Sequence, residues 1–110
     1  MIIEGMKKTA LMPKEAQAYL STHPDALLVD VREPGEYRHL HIHDARLMPL
    51  ATLPEALEGI PKETDLLFHC ASGGRSAQAL SWAQGRGFKK AKHMLGGISA
   101  WVALGLPYEL

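Results

Sequence analysis

Two short apolar runs, Ala26-Leu27-Leu28-Val29-Asp30-Val31 and Leu66-Leu67-Phe68-His69-Cys70, constrain this chain more than any other feature. Each follows breaker residues, His23-Pro24-Asp25 before the first and Pro61-Lys62-Glu63-Thr64-Asp65 before the second. Neither run alternates apolar with polar residues, so neither suits a sheet with one wet face. Short, nearly continuous runs of this kind are the mark of strands buried on both faces of a parallel sheet.

Helical patterns separate them. One begins near Pro13, with Ala16, Tyr19 and Leu20 at helical spacing, and stops before the turn at 23–25. Another covers Arg75 to Gln84, with Ala77, Leu80 and Ala83 on one side, and ends at Gly85 and Gly87. In a third, Ile98, Trp101 and Val102 recur at i, i+3 and i+4 until Gly105 and Pro107. Between them, Arg32 to Glu36 reads as loop, Leu47 to Leu50 as a weak strand, Pro54 to Gly59 as a short helix, and Lys92 to Leu95 as a brief strand. There is no linker, repeat or low-complexity tract. The expected fold is one α/β domain over residues 1–110, a central and mainly parallel sheet with helices on both faces.

A chain of 110 residues can bury one core without disulfides or a structural metal. Its 12 basic and 12 acidic residues cancel, so no overall field draws nucleic acid or an anionic membrane, and any anion site must be local. One cysteine cannot form an internal disulfide, which fits a reducing cytoplasm. The N-terminal stretch lacks an export signal, and no apolar run approaches the roughly 18 residues of a membrane span, so a soluble cytoplasmic protein is expected.

That cysteine, Cys70, stands where the second run ends and the helix from Arg75 begins, the end of the sheet where open α/β folds bind ligands. Ala71-Ser72-Gly73-Gly74 between them carries no bulky side chain, so several N–H groups can turn toward one spot. A helix N-terminus adds positive potential there and favours a thiolate. Arg75 has two possible uses, holding an oxyanion with paired hydrogen bonds or bracing the loop through its own carbonyls. Cys70 also has a bland reading, as a small buried residue at the end of a core strand.

The segment Cys70-Ala71-Ser72-Gly73-Gly74-Arg75-Ser76 resembles the active-site loop of the rhodanese family of single-domain sulfurtransferases. Three further segments agree in order: Leu28 to Tyr37 resembles the family's first motif, His41-Ile42 with Ala45 and Pro49-Leu50 a second, and Leu95-Gly96-Gly97-Ile98-Ser99-Ala100-Trp101 the C-terminal one. The resemblance covers about residues 11 to 110. It implies Cys70 as the nucleophile, taking sulfane sulfur from thiosulfate or a similar donor, releasing sulfite, and passing the sulfur to cyanide, a small thiol or a thiol protein. Amides from Ala71 to Ser76 would stabilise the persulfide, and no metal or organic cofactor is implied. It further implies that Asp30 and Arg32 form a polar network under the loop, with Arg32 paired to Glu36. One departure is the turn Leu40-His41-Ile42-His43-Asp44-Ala45, where the family pattern reads Gly-His-Ile-Pro-Gly-Ala, so a differently shaped turn is expected.

Other constellations are weaker. His39, His41 and His43 would share one face of a strand and could ligate a metal, but the resemblance makes this segment a loop and no fourth ligand is visible. His69 is expected to pack between elements, and Trp82 and Trp101 to belong to the core. The paired glycines at 73–74 and 96–97 make no nucleotide signature. Two rival functions remain: a persulfide carrier serving a partner protein, and a cysteine phosphatase or arsenate reductase. The loops of the latter resemble this one but are one residue longer than the four residues separating Cys70 from Arg75. Neither oligomeric state nor partner is legible.

Overall fold

The computed structural model describes residues 8–110; the part of the N-terminal reading that falls on residues 1–7 lies outside the described residues. Five strands, β1 (Ala10–Leu11), β2 (Leu27–Asp30), β3 (Arg46–Leu47), β4 (Leu66–His69) and β5 (Lys92–Met94), form one sheet in the order β1-β5-β4-β2-β3. Every pairing is parallel, with β4 in the middle. Among the described residues five α-helices complete the fold: α1 (Pro13–Thr22), α2 (Pro34–His39), α3 (Leu53–Ala56), α4 (Gly74–Gly85) and α5 (Gly97–Ala103).

The continuous apolar runs are explained by two cores. Val29, Val31, Leu66, Phe68 and Cys70 face one side and pack with Leu53, Ala79, Leu80 and Ala83 of α3 and α4. Leu28, Leu67 and Met94 face the other and meet Ala16 of α1 and Ile98 and Trp101 of α5. Successive strand residues therefore serve opposite cores, as the pleat requires. Trp101 is buried and donates Nε1–H to the Pro107 carbonyl at 2.7 Å, while Trp82 packs half-buried against the first core.

Two local expectations need correction. Arg32 to Glu36 is not all loop, because α2 starts at Pro34. A proline at the first helical position lacks only an N–H that the helix cannot use, and the Glu33 N–H donates to Glu36 Oε1 at 2.8 Å in a capping box. The strand expected over Leu47 to Leu50 is β3, ending at Leu47; Pro49 has no N–H to continue a ladder and leads into a 3-10 turn over Leu50–Thr52. The turn at 42–45 is closed by a hydrogen bond. Ala45 N–H donates to the Ile42 carbonyl at 3.0 Å and Asp44 takes φ +64°, the left-handed conformation glycine serves in a type II turn.

Candidate active site

Cys70 follows directly on β4, and the chain then doubles back over its sulfur. Gly73, at φ +115°, makes the bend, and α4 starts at the next residue. Sγ receives the Gly73 N–H at 3.1 Å and the Ser76 N–H at 3.3 Å, and the Ser76 hydroxyl lies 3.6 Å away. Ser76 is the third residue of α4, so the sulfur sits where a capping side-chain oxygen would sit. Burial pushes the Cys70 thiol up, but the Ser76 hydroxyl and the amides of Ser76, Gly73 and Ser72 outweigh it, leaving the pKa below its ordinary value. The two readings of Cys70 are compatible: it is 1% exposed, packed in the first core, and polarised.

The loop is held from the α5 side. Ile98 N–H donates to the Cys70 carbonyl at 2.9 Å and Ser99 N–H to the Ala71 carbonyl at 3.0 Å. Gly97, at φ +60°, permits this approach, since a Cβ there would stand 2.4 Å from the Ala71 oxygen and 2.5 Å from the Cys70 oxygen. The C-terminal Gly-Gly pair therefore serves as a clamp on the cysteine loop.

Arg75 does not brace the loop through its own carbonyls. Its guanidinium turns away from the loop carbonyls and makes a bidentate pair with Glu36 of α2, Nη1 to Oε1 at 2.7 Å and Nη2 to Oε2 at 3.0 Å. That pairing holds the Glu36 carboxyl down to about 2 and raises Arg75 further. The expected Arg32–Glu36 pair is accordingly absent. Arg32 instead binds Asp30, Nε to Oδ1 at 3.0 Å and Nη2 to Oδ2 at 2.8 Å, and Nη2 also donates to the Leu40 carbonyl at 2.8 Å. The geometric reason is that Asp30 closes β2 two residues before Arg32, within reach of a side chain folding back, whereas Glu36 on α2 faces α4. This buried pair lies under the loop, because Asp30 is in register with His69.

His69 is fully buried, with Nδ1 3.3 Å from the Cys70 carbonyl and Nε2 3.6 Å from Asp30 Oδ2 without a hydrogen bond. Burial keeps it neutral by lowering its pKa. His39, His41 and His43 do not line up. His39 ends α2, His41 stacks on Tyr37 with ring centroids 4.0 Å apart, and His41 and His43 bond the Glu109 carboxylate. Among the described residues no group of three or more potential ligands could hold a metal ion.

Sequence reasoning placed Glu36 in the site but gave it Arg32 rather than Arg75 as partner. It missed His93, whose Nδ1 lies 3.0 Å from the Ser76 oxygen and which was read only as part of a strand. The available signal for His93 was a histidine inside an otherwise buried strand pattern. Beside the loop a hollow of about 490 Å³ opens between α2 and α5, lined by Leu40, Ala71, Ile98 and Val102 with Arg32 and Glu36 at its edge. A larger hollow of about 610 Å³ lies at the far end of the sheet, around Asp25, Asp65 and Lys90, away from the cysteine.

The rhodanese-like domain model matches residues 12–104. A sulfurtransferase of Allochromatium vinosum is 39% identical over 88 residues, covering 80% of this chain and 82% of that protein. A thiosulfate:glutathione sulfurtransferase of Saccharomyces cerevisiae is 35% identical over 95 residues, covering 74% of this chain and 68% of that one. In a probable adenylyltransferase/sulfurtransferase of Mycobacterium tuberculosis, 35% identical over 100 residues and 89% of this chain, the match spans only 26% of the protein. Among solved structures, a rhodanese-like domain from Anabaena superposes with a TM-score of 0.85 at 26% identity, over 94% of this chain and 80% of that one. No helix among the described residues is long and apolar enough to cross a membrane.

Proposed function

The chain belongs to the rhodanese-like domain family, and from that premise we propose that it moves sulfane sulfur through a persulfide on Cys70. The Cys70 thiolate attacks the outer sulfur of thiosulfate. The sulfur–sulfur bond of the donor breaks, sulfite leaves with the electron pair, and Cys70 carries the extra sulfur as a persulfide. Cyanide, a small thiol or a thiol protein then attacks that outer sulfur and returns the thiolate. Cysteine is nucleophile in one half and leaving group in the other, so the cycle needs no metal or organic cofactor.

The observation that carries this reading is the convergence on Sγ of two backbone N–H donors at 3.1 and 3.3 Å, with the Ser76 hydroxyl 3.6 Å away. Preorganised donors of this kind stabilise a thiolate at no cost of reorganisation during the reaction. The next amides, Gly74 and Arg75, begin α4 and have no partner within the helix, so they suit the outer sulfur and the departing sulfite. The hollow between α2 and α5 is the natural berth for an acceptor. No nucleic acid or membrane enters the scheme, and a cytoplasmic setting suits a thiol that must stay reduced.

A carrier role is the second reading, and the Glu36–Arg75 pair favours it. With its charge paired, Arg75 offers little attraction to doubly charged thiosulfate, which suits a protein persulfide as donor in cells. A phosphatase or arsenate reductase role is not favoured, since the loop has four residues between Cys70 and Arg75 and the guanidinium is turned out of it. The purified protein is expected to turn over no phosphoester.

Intact mass after incubation with thiosulfate tests the proposal. A gain of about 32 Da, reversed by cyanide or a small thiol and absent from Cys70→Ser, is the expected result. No gain with thiosulfate, but a gain from a persulfide donor, would select the carrier. No gain from either would end the persulfide reading.

A further inference from the structure

Cys70 is 1% exposed and Ser76 0%, so the thiol has little contact with water, yet the reaction needs the thiolate. A second polar group touches this pocket from β5. His93 Nδ1 lies 3.0 Å from Ser76 Oγ, which lies 3.6 Å from Sγ. His93 is fixed by the sheet: its N–H donates to the Thr9 carbonyl at 2.8 Å, and it is in register with Ala10 of β1 and Phe68 of β4. The residue retains 7% exposure, and Nε2 makes no hydrogen bond among the described residues.

We propose that Ser76 and His93 form a proton relay that carries the Cys70 proton to water, with His93 as a positioning residue acting through Ser76; the sulfurtransferase reading gives the resulting thiolate its use. The hydroxyl has one proton and faces Sγ, Nδ1 and the Gly73 carbonyl, the last at 3.1 Å. With the thiol protonated, S–H donates to Oγ, Oγ–H donates to Nδ1, and the imidazole holds its proton on Nε2. On ionisation the proton on Sγ passes to Oγ as the Oγ proton passes to Nδ1, and the Nε2 proton leaves to water. Sulfur keeps its electron pair, one proton reaches solvent, and the imidazole ends neutral with Nδ1–H donating to Oγ. The reversed hydroxyl then donates to the thiolate.

A neutral imidazole at both ends of the cycle fits the surroundings. From the packed elements, α4 presents Ser76 to the ring, and Phe68 of β4 and Ala10 of β1 stand in register with His93. Among the described residues no charged side chain bonds the ring, and burial alone pushes its pKa down. Charged imidazolium is only a passing state in the relay, so a depressed pKa does not obstruct it.

The state of His93 in the wild-type protein, without any sulfur donor, is the direct test. Imidazole nitrogen-15 shifts are expected to report Nε2–H below the Cys70 midpoint and Nδ1–H above it, with no such switch in Cys70→Ser. One tautomer on both sides of the midpoint in the wild type overturns the relay. Alkylation by iodoacetamide across pH gives an independent reading. Ser76→Ala and His93→Phe should each raise the thiol midpoint by about one unit, tenfold less thiolate at neutral pH, and the double variant should add nothing further. An unchanged midpoint in His93→Phe, or additive effects, also overturns it; should His93→Phe not fold, the wild-type tautomer decides. Loss of the 32 Da gain with an intact tautomer switch would sink the sulfur-transfer reading alone, and the opposite pattern the relay alone.

Discussion

At the scale of single residues, Glu36 governs what Arg75 can do. Glu36→Gln keeps the capping oxygen that accepts the Glu33 N–H, because glutamine serves that position as well as glutamate, but it releases the guanidinium charge beside the loop. The KM for thiosulfate is therefore expected to fall several-fold, whereas Arg75→Ala, which leaves Glu36 uncompensated near the thiolate, should raise it. Steady-state kinetics at low ionic strength separate the cases, and opposite signs are required. Both side chains are about one-third exposed, so the pair itself adds little stability. The Asp30–Arg32 pair differs, with exposures of 0% and 5%. Asp30→Asn leaves Arg32 buried beside a neutral amide, and a loss of about 3 kcal/mol is expected in urea unfolding. A loss below about 1 kcal/mol would mean that the pair is not the anchor of the loop's floor.

At the scale of elements, the decisive contact is α5 against the cysteine loop. Gly97→Ala places a methyl group where backbone oxygens stand 2.4 and 2.5 Å away, at a positive φ that L side chains avoid. The loop carbonyls cannot retreat without losing the Ile98 and Ser99 hydrogen bonds. A destabilisation of about 3 kcal/mol or more is expected, with slower Cys70 alkylation in whatever fraction folds; calorimetry and an alkylation time course check both. The Gly-Gly pair was legible as a helix start but not as a clamp, because its partner lies 26 residues upstream and only the sheet order brings β4 beside β5. The same distance problem hid His93 from Ser76 and Arg75 from Glu36, separated by 17 and 39 residues. The buried strands β2 and β4 and the helices α1 and α4 were legible because burial on two faces or one leaves a pattern in the residues themselves. β1 was not, since its two residues are too few to show a period, and α2 was hidden by Pro34-Gly35, which reads as a turn while proline in fact opens the helix.

At the scale of the whole molecule, the buried titratable groups give stability one direction of pH dependence. His69 and His93 are both held below the ordinary value of 6.5, chiefly by burial. For His69 the nearby Asp30 carboxylate does not reverse this, because Arg32 already takes its oxygens. In the unfolded chain both imidazoles bind protons as pH falls through 6.5, while the native state refuses them until their lower folded values are reached. At these two sites the unfolded state therefore holds more protons in that window, and their contribution to stability falls as pH falls, by at most about 1.4 kcal/mol per pH unit for each histidine. Glu36, held at about 2 against an ordinary 4.5, adds a second loss between those values with the same sign, a small one because the pair is about one-third exposed. Urea midpoints should accordingly drop from about pH 7 to about pH 5, and His69→Gln, which cannot titrate, should flatten part of that slope. A wild-type midpoint that stays level over the same range would show that one or both imidazoles accept protons in the folded protein. For His93 that result would also bear on the relay, since a ring charged at neutral pH has no tautomer to switch.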